Sequence, residues 1–186
     1  MASGQPPNWR IYRLSQWEID NFFKAATDGD KKNVAEFLKI YPTAIDERDS
    51  VGRTALMWAA RYGRWEITEL LLEKGAALEA KDNGGRTPLI FAAENGNEIT
   101  VEFLLEKGAR LEAKDNAGCT AQMYAERRNR AKMVDLLKNW PEIQRQRLLE
   151  KKKEQEINES NFSKGLIQAI PARPPLKLPR HKGPGA

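Results

Sequence analysis

A spacing of 33 residues governs this chain. Asp49, Asp82 and Asp115 lie 33 positions apart, and the same offset joins Gly52, Gly85 and Gly118, then Thr54, Thr87 and Thr120. The register continues through Ala59/Ala92/Ala125, Leu71/Leu104/Leu137, Gly75/Gly108, Ala76/Ala109, Leu78/Leu111 and Ala80/Ala113. A unit this short cannot bury an apolar face alone, so a chain that repeats it must stack the copies.

Each recurring residue has a local job. Asp49 to Gly52 and Asp82 to Gly85 predict tight turns, with the Asp carboxylate accepting backbone N–H groups and Gly supplying a left-handed position. Thr54 and Thr87 are placed as helix N-caps, and Pro88 suits the first helical position, where no N–H is needed. Ala59-Ala60 and Ala92-Ala93 let neighbouring helices approach, and Gly63 and Gly96 end the first helix of each pair. The second helices are expected to bury Leu70, Leu71 and Leu72, then Val101, Phe103, Leu104 and Leu105. These helices fall below the ~12 to 15 residues at which an isolated helix becomes marginal in water, so stacking must hold them.

The two ends depart from the pattern. Ser15 and Glu18 form a capping box, which starts a helix over about Gln16 to Thr27 that Asp28-Gly29 ends. A second helix, with Val34, Phe37 and Leu38 on one face, stops at Tyr41-Pro42. No Asp-x-x-Gly turn precedes this pair, which marks it as the first, capping repeat. At the other end Gln122, Glu126, Asn129 and Lys138 replace the residues that bury or turn in earlier repeats, so no fifth repeat is expected to pack there.

Outside the repeats the composition changes. Residues 1–14 form an arm whose Trp9 and Tyr12 are expected to cover the end of the first helix pair, docking on a partner being the alternative. Residues 141–160 predict a charged helix opening at Pro141, in which Ile143, Leu148, Leu149 and Ile157 make no sustained heptad seam. Residues 161–186 hold five of the ten prolines and are expected to be disordered. This tail carries Lys164, Arg173, Lys177, Arg180 and Lys182 and no acid. Of the formal charge of +5, all five units are therefore tail, because the rest balances 31 − 5 = 26 basic against 26 acidic residues.

The pattern DxxGxTPLxxAAxxGxxxxVxxLLxxGAxLxAK, carried by residues 15–140, closely resembles the ankyrin repeat. The resemblance implies an all-α fold: a solenoid of helix-turn-helix pairs joined by β-hairpin-like turns, with repeats at about 15–48, 49–81, 82–114 and 115–140. Where the family usually has His after TPL, this chain has Met57, Ile90 and Met123, so apolar contact is expected to replace that histidine's hydrogen bonds. In proteins of this family partners bind the concave face. Carried over by position, that face comprises Asp28, Arg48, Ser50, Val51, Arg53, Arg61, Tyr62, Lys81, Asn83, Arg86, Glu94, Asn95, Lys114, Asn116, Cys119, Arg127 and Arg128. Eight of these are basic and two acidic, which predicts a basic groove on a neutral body, with Tyr62 as its apolar anchor.

Catalytic chemistry has little support. His181, the sole histidine, lies in the tail, which excludes a histidine-dependent triad and a multi-histidine zinc site. The recurring Asp49, Asp82 and Asp115 read as turn formers rather than a carboxylate array. Cys119 is expected to be a partly exposed free thiol, and as the only cysteine it permits no internal disulfide. Trp58, Phe91 and Tyr124 form a ladder, read as filler between the helix layers with a ligand-binding aromatic box as the alternative. Met57 and Met123 read as core. The expectation is a monomeric cytoplasmic or nuclear interaction module that binds an acidic segment of a protein, with no cofactor and no small-molecule substrate. The alternative is a nucleic-acid or anionic-membrane contact through the tail, where Pro171 to Pro174 also satisfies the minimal PxxP spacing.

Overall fold

The structure, a computed structural model, describes residues 14–163; the arm apart from Leu14, the PxxP segment and nearly all of the tail, which is 161–186, lie outside them. Among the described residues there are eight α-helices and no strand: α1 (Gln16–Asp28), α2 (Lys31–Ile40), α3 (Ala55–Arg61), α4 (Trp65–Glu73), α5 (Pro88–Asn95), α6 (Glu98–Glu106), α7 (Ala121–Arg127) and α8 (Ala131–Ser163). The described residues divide into two compact units at the junction of Trp140 and Pro141. In the first, α1, α3, α5 and α7 pack side by side in one row, and α2, α4 and α6 form a second row behind it.

Local chemistry sets the helix bounds. The Ser15 hydroxyl accepts from the Glu18 N–H, and the Glu18 carboxylate accepts from the Ser15 N–H. Tyr41, at the far end of α2, donates to the same carboxylate, and these bonds, Tyr41's first, hold Glu18 below the usual carboxylate range. Gly29 ends α1 in the left-handed region at φ 84°. Thr54, Thr87 and Thr120 cap α3, α5 and α7. A 3-10 turn at Pro42–Asp46, absent from the sequence reading, follows α2.

Along the rows, Phe22, Val34, Leu56, Ile67, Leu71, Leu89, Leu104, Met133 and Leu137 are almost wholly buried. Met57 and Ile90, in the histidine position, are buried as expected. Met123 is 45% exposed, so its assignment to the core does not hold: α7 belongs to the last repeat, and no further row covers it. Leu72 and Phe103 are only half-buried, each at the outer edge of its helix. The closing face is polar, with Gln122 donating to Glu126 and Lys138 reaching the same carboxylate.

Hydrogen bonds between repeats come from positions the family's histidine does not occupy. Arg64 Nε donates to the Thr27 carbonyl, and Asn97 Nδ2, one repeat on, donates to the carbonyls of Ala60 and Arg61. Asp46 accepts from the Ala77 N–H, and Glu79 accepts from the Arg110 N–H. The turns are linked tip to tip by Asn83 N–H to Val51 O and Asn116 N–H to Gly84 O. That link requires glycine beneath it, since a Cβ at Gly85 would lie 2.7 Å from the Asn116 nitrogen. The expectation of apolar contact is thus half the answer: buried Met57 and Ile90 fill space, and other side chains make the bonds.

α8 corrects the expected helix start at Pro141. The helix runs from Ala131 through Pro141 to Ser163. The proline leaves the helix one N–H short and crowds the turn before it, yet the helix of 33 residues runs through it. Within Pro141–Ser163 most described side chains are exposed, among them Leu148, Leu149 and Ile157, and Arg145 pairs with Glu142.

Candidate protein-binding surface

The turn aspartates organise the face made by the turn tips and the adjoining ends of the first-row helices. Oδ1 of Asp49 accepts from the N–H groups of Val51 and Arg53; Asp82 does the same for Gly84 and Arg86, and Asp115 for Ala117 and Cys119. Each carboxylate then has Oδ2 left over. In repeat two the indole N–H of Trp58 donates to Asp49 Oδ2 at 3.2 Å, and in repeat four the Tyr124 hydroxyl donates to Asp115 Oδ2 at 2.7 Å. Repeat three has Phe91 at this position, which has no donor. Arg86 supplies one instead, with Nε and Nη2 at 3.0 and 2.8 Å from Asp82 Oδ2.

The aromatic ladder is therefore more than filler. Phe91 is fully buried, but Trp58 and Tyr124 are half-buried and spend their polar edges on the turns. Burial, then the bond to Asp115, pushes the Tyr124 hydroxyl up to about 12. Asp115 is pushed up by its own burial, yet the bonds from Tyr124, Cys119 N–H and Ala117 N–H, with the Arg127 charge, bring it below the ordinary value.

The eight basic residues of the expected groove fall into three groups. Arg48 and Lys81 reach forward exactly one repeat: Arg48 donates to the carbonyls of Gly52 and Lys81, and Lys81 donates to the carbonyl of Lys114. Arg86 and Arg128 are ion-paired, Arg86 with Asp82 and, at 3.9 Å, with Glu94, and Arg128 with Glu94 at 2.6 Å. Arg53, Arg61, Lys114 and Arg127 have no carboxylate within ion-pair distance among the described residues. Arg53 lies between two rings, its guanidinium carbon 5.0 Å from the Trp58 ring and 5.6 Å from Phe91, and its buried Nε meets no acceptor. Arg61 lies 6.0 Å from the Trp58 ring, which stacks on half-exposed Tyr62.

The remaining expected positions sort the same way. Ser50 and Val51 are exposed at a turn tip, beside the Arg53 group in sequence and fold. Asn83 and Asn116 are held in the turn-to-turn links, and Asn95 donates to the Phe91 carbonyl of its own helix. Asp28 is engaged by Lys24 on α1. Cys119 is 5% exposed, which overturns its assignment as a partly exposed thiol: it occupies the Arg53/Arg86 position, where its short side chain folds under the turn. The sequence reading missed this division of the basic residues. Its one visible signal was Phe91 among Trp58 and Tyr124, a ring without a donor beside an arginine.

Comparison with known proteins agrees with the geometry. The family described as ankyrin repeats (3 copies) matches residues 22–115 and 84–147, which together cover well over half of the chain. The chain belongs to the ankyrin repeat family. Among curated proteins it is similar to the NAD-capped RNA hydrolase NUDT12 of Homo sapiens, 40% identical over 62 residues, a stretch that is 33% of this chain and 13% of the relative. The Macaca fascicularis protein of the same name is 40% identical over 57 residues, 31% of this chain and 12% of the relative. The chain thus matches only about an eighth of the length of these relatives.

Proposed function

We propose that the protein is an adaptor or regulatory scaffold whose turn-side face binds an acidic segment of a protein partner. Ankyrin repeats generally mediate protein–protein interaction and are typically non-enzymatic. The observation that carries the finer reading is the Arg53, Trp58, Arg61, Tyr62 group. Two guanidiniums without carboxylate partners lie within 6.0 Å of one indole, and a half-exposed tyrosine stacks on it. Rings hold an arginine in a fixed orientation without neutralising it, so a partner's Asp or Glu can supply the missing bonds. Arginine and tyrosine are also enriched among the residues that dominate binding energy. Lys114 and Arg127 extend the positive charge towards repeat four, whereas Arg86 and Arg128 are balanced by Asp82 and Glu94. A single buried cysteine suits a reducing compartment, in keeping with a cytoplasmic protein.

The test is quantitative capture from nuclease-treated lysate with the wild-type chain, the Arg53→Glu/Arg61→Glu variant and a chain lacking 161–186. Proteins lost with the double variant should carry acidic segments and should weaken as salt rises. An unchanged set of captured proteins would overturn the assignment of the face. Loss on tail deletion alone would move the function to the tail.

A further inference from the structure

The outer side of the first repeat carries a groove that faces away from the stack. It encloses about 440 Å³ between α1 and α2. Its floor is Phe22 and Phe37, stacked with ring centroids 4.3 Å apart. At the end where α1 begins and α2 ends stand Trp17, 73% exposed, and Ile40, 65% exposed. Large apolar side chains this open, next to one another and over an aromatic floor, mark a surface that another segment covers. The lining is also acidic, with Glu18, Asp28, Asp30 and Glu36 against Lys24, which Asp28 already pairs. Glu36 meets no cation among the described residues.

We propose that residues 9–13, Trp-Arg-Ile-Tyr-Arg, lie in this groove as a strap running antiparallel to α1. Three features choose this occupant. Its attachment is local: Leu14 immediately precedes the Ser15 cap, and Trp17 stands in the first turn that follows. Its length fits, because five extended residues reach ~16 Å at ~3.3 Å each, and the helix from Trp17 to Asp28 rises ~16 Å at ~1.5 Å per residue. Its chemistry is complementary, with two arginines and no acid facing a lining of four acids to one base. In an extended chain Trp9 and Ile11 share one face, which seats them on Phe22, Phe37 and Ile40, and Arg10 turns to the rim carboxylates.

The experiment pairs Ile11→Cys with Ile40→Cys in the 186-residue chain carrying Cys119→Ala, oxidised with oxidised glutathione. A disulfide within one chain should form roughly tenfold faster than in a control pairing Ile11→Cys with Ser50→Cys, because a short tether raises the effective concentration at a nearby site. Equal rates would overturn the strap, and disulfide-linked dimers would overturn it in favour of a second copy. Independently, Trp9→Ala/Ile11→Ala with Cys119 intact should raise amide exchange in α1 and α2 severalfold and leave α5 and α6 unchanged. Unaltered exchange in α1 and α2 would also refute it.

Discussion

Arg53 and Arg86 hold the same position in successive repeats, follow the same turn and begin from the same Asp-x-x-Gly sequence, yet they end in different states. Arg86 is locked to Asp82 and reaches Glu94; Arg53 is suspended between rings with no carboxylate partner. The difference comes from five residues further on. Trp58 satisfies Asp49 Oδ2 and so leaves its arginine unclaimed, whereas Phe91 cannot satisfy Asp82, and the arginine is drawn in. A ladder that looks like interchangeable aromatic packing decides which cations belong to the scaffold and which are available to a partner.

Both arginines stand on one stack of packed helices, so the largest effect is expected where that stack is broken. Leu104→Asp buries an unpaired charge in addition to losing the ~2 to 5 kcal/mol of a buried leucine truncated to alanine. It should unfold both regions together, and normal helical content by circular dichroism would refute the shared packing.

Next, Arg86→Ala should cost about 1 to 3 kcal/mol, because Asp82 is left with a buried, unpaired carboxylate oxygen. Arg53→Ala should cost less than about 1 kcal/mol, as no hydrogen bond or ion pair is lost. Urea titration of the two variants measures the contrast directly. Adding Phe91→Tyr to Arg86→Ala should recover much of the loss by restoring the bond that Tyr124 makes to Asp115; no recovery would mean that the aromatic position does not control the aspartate.

Reversing the exchange in repeat two is expected to act on binding. Trp58→Phe frees Asp49 Oδ2, and Arg53 should swing onto it, weakening an acidic partner by roughly tenfold with the fold intact. Unchanged affinity in a titration with the captured partner would separate the open arginine from the function.

The smallest effect is a pH dependence. Tyr124 is raised in the folded state, so its contribution is fully present below the unfolded tyrosine value of ~10 and is lost as pH rises to about 12. Tyr124→Phe should flatten the stability profile in that alkaline window. Asp115 is lowered, so its contribution is present above the unfolded value of ~3.9 and falls away in acid, which the same titration series reads.

Period, turns, caps and the identity of the terminal repeats were legible in the sequence because each depends on residues within a few positions of one another. Asp49 with Gly52, Ser15 with Glu18 and Thr87 with Pro88 act inside a single turn, where spacing alone sets which atoms can meet. The polar residues of repeat four, Gln122, Glu126 and Lys138, were equally plain, because a buried position that turns polar identifies an open end. What only the tertiary structure decided was how side chains of long reach are spent. Arg48 and Lys81 give their donors to carbonyls 33 residues away, Cys119 folds inward where Arg53 and Arg86 reach out, and Glu94 gathers two arginines from neighbouring repeats. A count of basic residues cannot separate these fates, because charge is a property of the residue and pairing is a property of the distances that stacking creates.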